Sequence, residues 1–285
     1  IDSTNNRVGF YVEVSSAAVE QLRIQDGALV PVTDNDIDLG TSSLEFKDAF
    51  FDGTVTTDAL VADTNSGGIG VAHNGNLTNA ITLRNKMVEE GSIFYTTSDT
   101  ETIVKLIAKS KRPKTIDKVI DALFQIQGGY ALVMMTQNTL IGVRDPYGIR
   151  PLVIGKLKNS YVFASETCAF DIIGAKFVRE VENGEIVYVE NDELKSIKPF
   201  PQKKVRPCVF EYIYFSRPDS ILNGKTAYEY RKKFGAELAK EDNLDADLVV
   251  PVPDSGNAAA LGYAEEKKIN FDLGLIRNHY VGRTF

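Results

Sequence analysis

The chain has 285 residues, of which 43% are hydrophobic and 25% charged, and its formal net charge is -7. That balance belongs to a folded chain that buries a core, and the length accommodates about two domains at roughly 150 residues each. An acidic chain of this kind lacks the broad basic face that nucleic-acid binding requires, so any phosphate handling must be local.

Residues 1–60 are rich in Asp, Thr, Ser and Val, with alternating stretches such as residues 8–14 between turn residues, and they carry no helical periodicity. They are expected to form a short β-rich segment, and residues 38–55 resemble the short β repeats of bacteriophage tail-fibre proteins. From Gly70 the signals become regular. An Asn-Gly turn at Asn74-Gly75 is expected between an apolar strand and a helix over 78–90, whose apolar spacing (Ala80, Leu83, Met87, Val88) ends at a Gly91 cap. Ser98-Asp99-Thr100-Glu101 spells a capping box that opens a second helix, and a third fits 116–126. The basic stretch 109–114 between these two helices reads as a solvated connection.

Strands are expected over 130–136 and 140–144, and again over 177–181 and 185–189 as a pair around Asn183-Gly184. This middle region is helix then sheet, an α+β pattern. Beyond Arg206 the order becomes strand 209–215, helix 227–240, strand 247–252, helix 257–267, strand 273–277, the pattern of a parallel sheet with crossover helices. The segment Val252-Pro253-Asp254-Ser255-Gly256 lies at one strand end and opens a helix, a place suited to an anion.

Cys168 and Cys208 are the only cysteines, which implies no disulfide framework and fits a reducing cytoplasm. No apolar run approaches a membrane span, and residues 1–20 lack the pattern of a signal peptide, so a cytoplasmic protein with no membrane partner is expected.

Asn74 and Gly75 can aim a side-chain amide and a backbone N–H at one point, as acyl transfer requires for a developing oxyanion. Taken singly, the pair is also the commonest chemistry of a tight turn, Asp99 is also a helix-start residue, and Ser255 is also an N-cap. What changes their weight is a set of segments in order: Ala72-His73-Asn74-Gly75-Asn76-Leu77-Thr78-Asn79, Thr96-Thr97-Ser98-Asp99-Thr100-Glu101, Arg144-Asp145-Pro146-Tyr147-Gly148-Ile149-Arg150-Pro151-Leu152, Phe210-Glu211-Tyr212-Ile213-Tyr214-Phe215-Ser216-Arg217-Pro218-Asp219-Ser220, Val252-Pro253-Asp254-Ser255-Gly256 and Tyr280-Val281-Gly282-Arg283-Thr284-Phe285. Together they resemble the amidophosphoribosyltransferase family, from about residue 62 to the last residue.

The resemblance implies an α+β N-terminal-nucleophile hydrolase-like (αββα) partial domain over 62–205, which hydrolyses glutamine. It implies next the start of an α/β phosphoribosyltransferase-like domain over 206–285, where ammonia displaces pyrophosphate from phosphoribosyl pyrophosphate, with residues 1–61 an unrelated β-rich segment. By match of motif, Asn74 and Gly75 would form the oxyanion hole and Asp99 would hold the α-amino group of glutamine. Ser255 would lie at the Mg2+ and pyrophosphate end of the second site, and Arg277, Tyr280 and Arg283 would belong to the loop that closes on phosphoribosyl pyrophosphate. Cys208 matches a ligand of the [4Fe-4S] cluster that one branch of the family carries; with its three partners absent here, a buried, inert thiol is expected. The family is homo-oligomeric.

The family's nucleophile is a cysteine at the mature N-terminus, whereas this sequence starts with Ile1 and lacks the acidic phosphoribosyl-pyrophosphate signature. The expectation is therefore a fusion or fragment without glutaminase activity; glutamate release abolished by Asn74→Ala would refute it. Two alternatives stand beside this reading. Another N-terminal-nucleophile amidotransferase could share Asn74-Gly75 but not the pair 210–220 and 252–256, and a phage structural or attachment protein would use its N-terminal repeat and not the helices after Thr78.

Overall fold

The computed structural model describes residues 7–14, 17–25, 28–31, 59–64 and 67–278, and the chain divides into two compact units, 1–55 and 56–285. In the first, β1 (Arg7–Val14), β2 (Ala17–Gln25) and β3 (Ala28–Pro31) form an antiparallel three-stranded sheet in the order β1-β2-β3. The tail-fibre-like stretch 38–55 lies outside the described residues.

The second unit is built on a six-stranded sheet in the order β12-β11-β7-β6-β5-β4. Its strands are β4 (Ala59–Thr64), β5 (Gly67–Leu77), β6 (Gly128–Thr136), β7 (Thr139–Arg144), β11 (Ile186–Glu190) and β12 (Glu193–Ile197). Between β5 and β6 come α1 (Ala80–Glu89), α2 (Asp99–Lys109) and α3 (Thr115–Leu123). One apolar layer joins these helices to one sheet face: Ile103, Val104 and Ile107 of α2 and Val119 of α3 lie with Val71, Leu132, Met134 and Ile141. Side chains alternate along a strand, so the opposite face presents Ala131 and Val187. These meet Leu152, Ile154 and Val181 beside a second sheet, β10-β8-β9. That sheet comprises β8 (Val153–Leu157), β9 (Ser160–Ala164) and β10 (Lys176–Glu180), with α4 (Cys168–Ile173) against β10.

After β12 the chain runs through a π-helical turn, Glu211–Phe215, and a two-residue hairpin of β13 (Ile221–Leu222) and β14 (Lys225–Thr226) into α5 (Ala227–Glu241). Thr226 and Glu229 form a reciprocal capping box at the start of α5. β15 (Leu248–Val249) and β16 (Asn270–Phe271) pair in parallel, with α6 (Asn257–Lys267) as the crossover between them. Helices α5 and α6 approach at backbone distance: a Cβ on Gly235 would stand 1.8 Å from the Ala259 carbonyl, and one on Gly262 1.9 Å from that of Lys232.

Several local expectations are corrected. Asn74 and Gly75 lie inside β5, paired with Ala131 and Tyr130, and the chain turns only after Leu77. The strands flanking Asn183-Gly184 belong to different sheets, so that turn is a crossing and not a hairpin. The aromatic run 209–215, β-like by composition, coils because Glu211 turns inward to Arg150 and the carbonyls of Tyr212 and Ser216 receive the buried Arg231 guanidinium. Residues 273–277 form no strand, since the short parallel ladder ends where Asp272 N–H donates to the Val249 carbonyl.

Candidate functional site: the edge of strand β5 and the start of helix α2

Two residues of β5, His73 and Leu77, converge on the first turn of α2. His73 Nδ1 stands 3.2 Å from Asp99 Oδ1 and 3.3 Å from the Thr100 hydroxyl, and Leu77 N–H donates to Asp99 Oδ2 at 2.9 Å. Asp99 is thus held from both oxygens while its side chain remains 21% exposed, against 2% for His73. Burial pushes the Asp99 carboxyl upward, but the His73 and Leu77 hydrogen bonds outweigh it and hold the acid below its ordinary value. The His73 Nε2 atom is buried and has no hydrogen-bond partner.

The capping box expected at Ser98 is only half made. Ser98 Oγ accepts from Thr100 N–H, but the buried Glu101 carboxylate turns to the preceding loop, where it accepts from Tyr95 N–H, Thr96 N–H and the Thr96 hydroxyl. That arrangement fixes the entry to α2 and leaves Asp99 to face β5.

Gly75 is required by the close approach of β5 to β6. Its φ is +153°, and a Cβ there would stand 2.1 Å from the Gly129 carbonyl oxygen and 2.8 Å from Tyr130 Cα. The opposing Gly128 has φ +146° and its Cβ would meet the Asn76 carbonyl at 2.2 Å, so the crossing is built from glycine on both strands.

Hydrogen bonding at Tyr130 sets the direction of the Gly75 amide. Tyr130 N–H donates to Asp145 Oδ2 and its carbonyl accepts from Asp145 N–H, so both polar groups of Tyr130 point away from β5. In an antiparallel ladder the facing residue then points its own N–H outward as well. The β4 register begins only at Ala72, so beyond it the Gly75 and Leu77 amides share an edge that β4 does not cover. Leu77 gives its amide to Asp99; the Gly75 amide lies two residues back, about 7 Å along the strand. Asn74 donates from Nδ2 to Ser165 Oγ at 3.2 Å.

Asp145 organises the back of this site. Its fully buried carboxylate accepts from the N–H groups of Tyr130, Tyr147, Ile149 and Arg150, although burial still pushes the acid upward. His73, Leu77 and Ser165 were not singled out by sequence reasoning. His73 adjoins Asn74 and could have been included; Ser165 is 91 residues from its partner and carries no local signal.

The second candidate site is partly described. Ser255 sits in the exposed turn before α6, and Arg277 pairs with Asp254 at 3.3 Å, which brings residues 254–255 and 277 to one place. Tyr280 and Arg283 lie outside the described residues. Cys208 is half-buried and lines a cavity of about 160 Å³ with Ser165, Glu166 and Glu211, whereas Cys168 is buried and its thiol is pushed up by burial. Among the described residues, no group of three or more His, Cys, Asp or Glu side chains is arranged to hold a metal ion.

The two-sheet α+β unit, with a strand edge facing a helix-borne carboxylate, matches over residues 56–171 a family described as a glutamine amidotransferase domain. Similar proteins include an amidophosphoribosyltransferase of Rhizobium etli, 54% identical over 231 residues (79% of this chain, 47% of that protein), and the chloroplastic amidophosphoribosyltransferase 1 of Arabidopsis thaliana, 52% identical over 227 residues (79% and 40%). A glutamine phosphoribosylpyrophosphate amidotransferase structure from Bacillus subtilis, complexed with ADP and GMP, superposes with a TM-score of 0.76 at 45% identity, covering 79% of this chain and 50% of that one. Over the stretch that these matches cover, this chain is similar to amidophosphoribosyltransferases. It spans about half the length of the relatives it matches. The N-terminal-nucleophile hydrolase-like fold, continued by the beginning of a phosphoribosyltransferase-like domain, agrees with that similarity, and no helix among the described residues is long and apolar enough to cross a membrane.

Proposed function

We propose that the β5 edge binds glutamine and presents its amide for hydrolysis within an amidophosphoribosyltransferase, where the ammonia released is passed to phosphoribosyl pyrophosphate. The single observation that carries this reading is the fixed carboxylate of Asp99, about two strand residues from the outward Gly75 amide. In this pose Asp99 receives the α-ammonium of glutamine. The free N–H of the Asn74 carboxamide and the Gly75 N–H receive the amide oxygen as it gains charge, which is differential stabilisation of the transition state.

Residues 206–278 contribute the opening of the phosphoribosyl pyrophosphate site, with Ser255 and Arg277 at the phosphates and Tyr280 and Arg283 on the closing loop. Mg2+ fits such a site when it arrives with substrate phosphates, since it is commonly held by one or two carboxylates plus phosphate oxygens and not by a protein cage; here Asp254 and Ser255 would face it, and the ion would neutralise pyrophosphate as it leaves. A cytoplasmic homo-oligomer belongs to the same reading.

The test is calorimetric titration of the full chain with L-glutamine and with its analogue lacking the α-amino group. Saturable glutamine binding, at least tenfold weaker for the analogue and weakened as much by Asp99→Asn, is expected. Equal affinity for both ligands would sink the assignment of Asp99.

A further inference from the structure

Ser165, Glu166 and Thr167 are consecutive, and their three side chains bond to different parts of the unit. Ser165 Oγ accepts from the Asn74 carboxamide at 3.2 Å. Glu166 Oε2 accepts from Arg217 N–H at 2.7 Å and from the buried Ser220 hydroxyl at 2.6 Å, and Thr167 Oγ1 accepts from Ile221 N–H at 2.8 Å. Residues 217–221 are in turn tied to the next helix: Ala227 N–H donates to the Ser220 carbonyl and Tyr228 N–H to that of Pro218. Both donating residues open α5. Three residues therefore separate the Asn74 amide from a clamp on the first helix of the phosphoribosyltransferase-like part.

A carboxamide has two N–H donors in one plane. When one is held by a hydroxyl, rotation about Cβ–Cγ stops and the second points in a fixed direction. Residue 165 is free to do this only if its own backbone is fixed, and the two bonds to Glu166 and the one to Thr167 fix it from the far side.

We infer that Ser165 is a positioning residue for the Asn74 carboxamide, and that the Ser165–Thr167 tripeptide transmits the placement of residues 217–228 to that amide. The inference deepens the glutamine reading and rests on it for its chemical meaning, but the geometry it asserts is testable without ligand.

The experiment follows the side-chain amide protons of Asn74 by nuclear magnetic resonance in the isotopically labelled full chain. Their exchange with solvent should be roughly tenfold faster in Ser165→Ala, as loss of one hydrogen bond would give, and restored in Ser165→Thr. Glu166→Gln should accelerate the same protons severalfold, although it touches neither Asn74 nor Ser165 Oγ; Ser220→Ala provides a second perturbation of that clamp. Unchanged exchange in Ser165→Ala, with the backbone spectrum intact, would overturn the positioning role. A response in Ser165→Ala together with none in either Glu166→Gln or Ser220→Ala would overturn the transmission. A failure of the glutamine reading would appear separately, as absent discrimination in the titration, with these exchange rates unaffected.

Discussion

Gly75→Ala is the sharpest perturbation of the β5–β6 crossing. The new methyl carbon would stand 2.1 Å from the Gly129 carbonyl oxygen and 2.8 Å from Tyr130 Cα, both backbone atoms that cannot rotate aside. Relief requires the strands to part, which weakens the flanking ladder bonds of the Asn74 and Asn76 pairs at about 1 kcal/mol each. To this is added about 1–3 kcal/mol for placing a Cβ at φ +153°. The sum, about 3–5 kcal/mol, is a large share of a domain's usual 5–15 kcal/mol and corresponds to a fall of roughly 10 °C in Tm for a unit of this size. Gly91→Ala supplies the control, because Gly91 has φ +88° but nothing within 4 Å of its Cβ, so only the conformational part applies. Thermal and urea melts followed by circular dichroism measure both. If Gly75→Ala costs no more than Gly91→Ala, the close-approach account of the crossing is wrong.

The remaining predictions concern buried carboxylates and the ligand. Asp145→Asn turns an amide toward some of the backbone N–H donors that the carboxylate now satisfies, and should cost about 2–3 kcal/mol in a urea melt; a loss under 0.5 kcal/mol would show those bonds to be dispensable. Glu185 is buried, takes a two-pronged bond from Arg179 at 2.8 Å on each oxygen, and also accepts from Ser196 and from Glu182 N–H. Removing that carboxylate with Glu185→Ala should cost about 3–5 kcal/mol, measured against Arg179→Ala. Burial raises the Glu185 acid, but its hydrogen bonds prevail and hold it low. Its contribution is therefore complete above the unfolded glutamate value near 4.3 and fades as pH falls through the folded one, so Glu185→Gln should flatten the acid limb of a stability profile. The lowered Asp99 acid has the same sign: glutamine affinity should hold constant from neutrality down to about pH 4 and drop below it, and a loss already complete at pH 6 would assign the binding charge to another group.

How much of this was readable in the sequence depended on whether the signal was local. Helices α1, α2 and α3 follow apolar spacing and end signals within their own residues, and Gly91 stops α1 as expected with a positive φ. The alternation of elements foretold a parallel pair around α6, but its second strand is β16 at 270–271 and not the expected 273–277. The errors arose where a distant partner decides. Glu101 spelled a capping box, yet its buried carboxylate accepts instead from the N–H groups of residues 95 and 96. Asn-Gly spelled a turn, yet pairing with Ala131 and Tyr130 keeps the chain extended through it. The aromatic run 209–215 spelled a strand, yet Arg150 and Arg231 hold it coiled. At the site, Asn74 and Asp99 were singled out and are brought to one strand edge, while Ser165 could only be found in three dimensions.

The register of β5 on β6 runs unbroken from Ile69 opposite Thr136 to Leu77 opposite Gly128. A slip by one residue would carry Val71 from the helix-facing layer to the other side and would move Gly75 away from the place opposite Tyr130 where only a residue without a Cβ clears the Gly129 carbonyl. Misalignment thus cannot leave behind a well-folded but chemically idle domain, or an intact pocket on a loosened scaffold. For anyone grafting or recombining this domain, an insertion or deletion within either strand forfeits both at once, and crossover points belong outside residues 67–77 and 128–136.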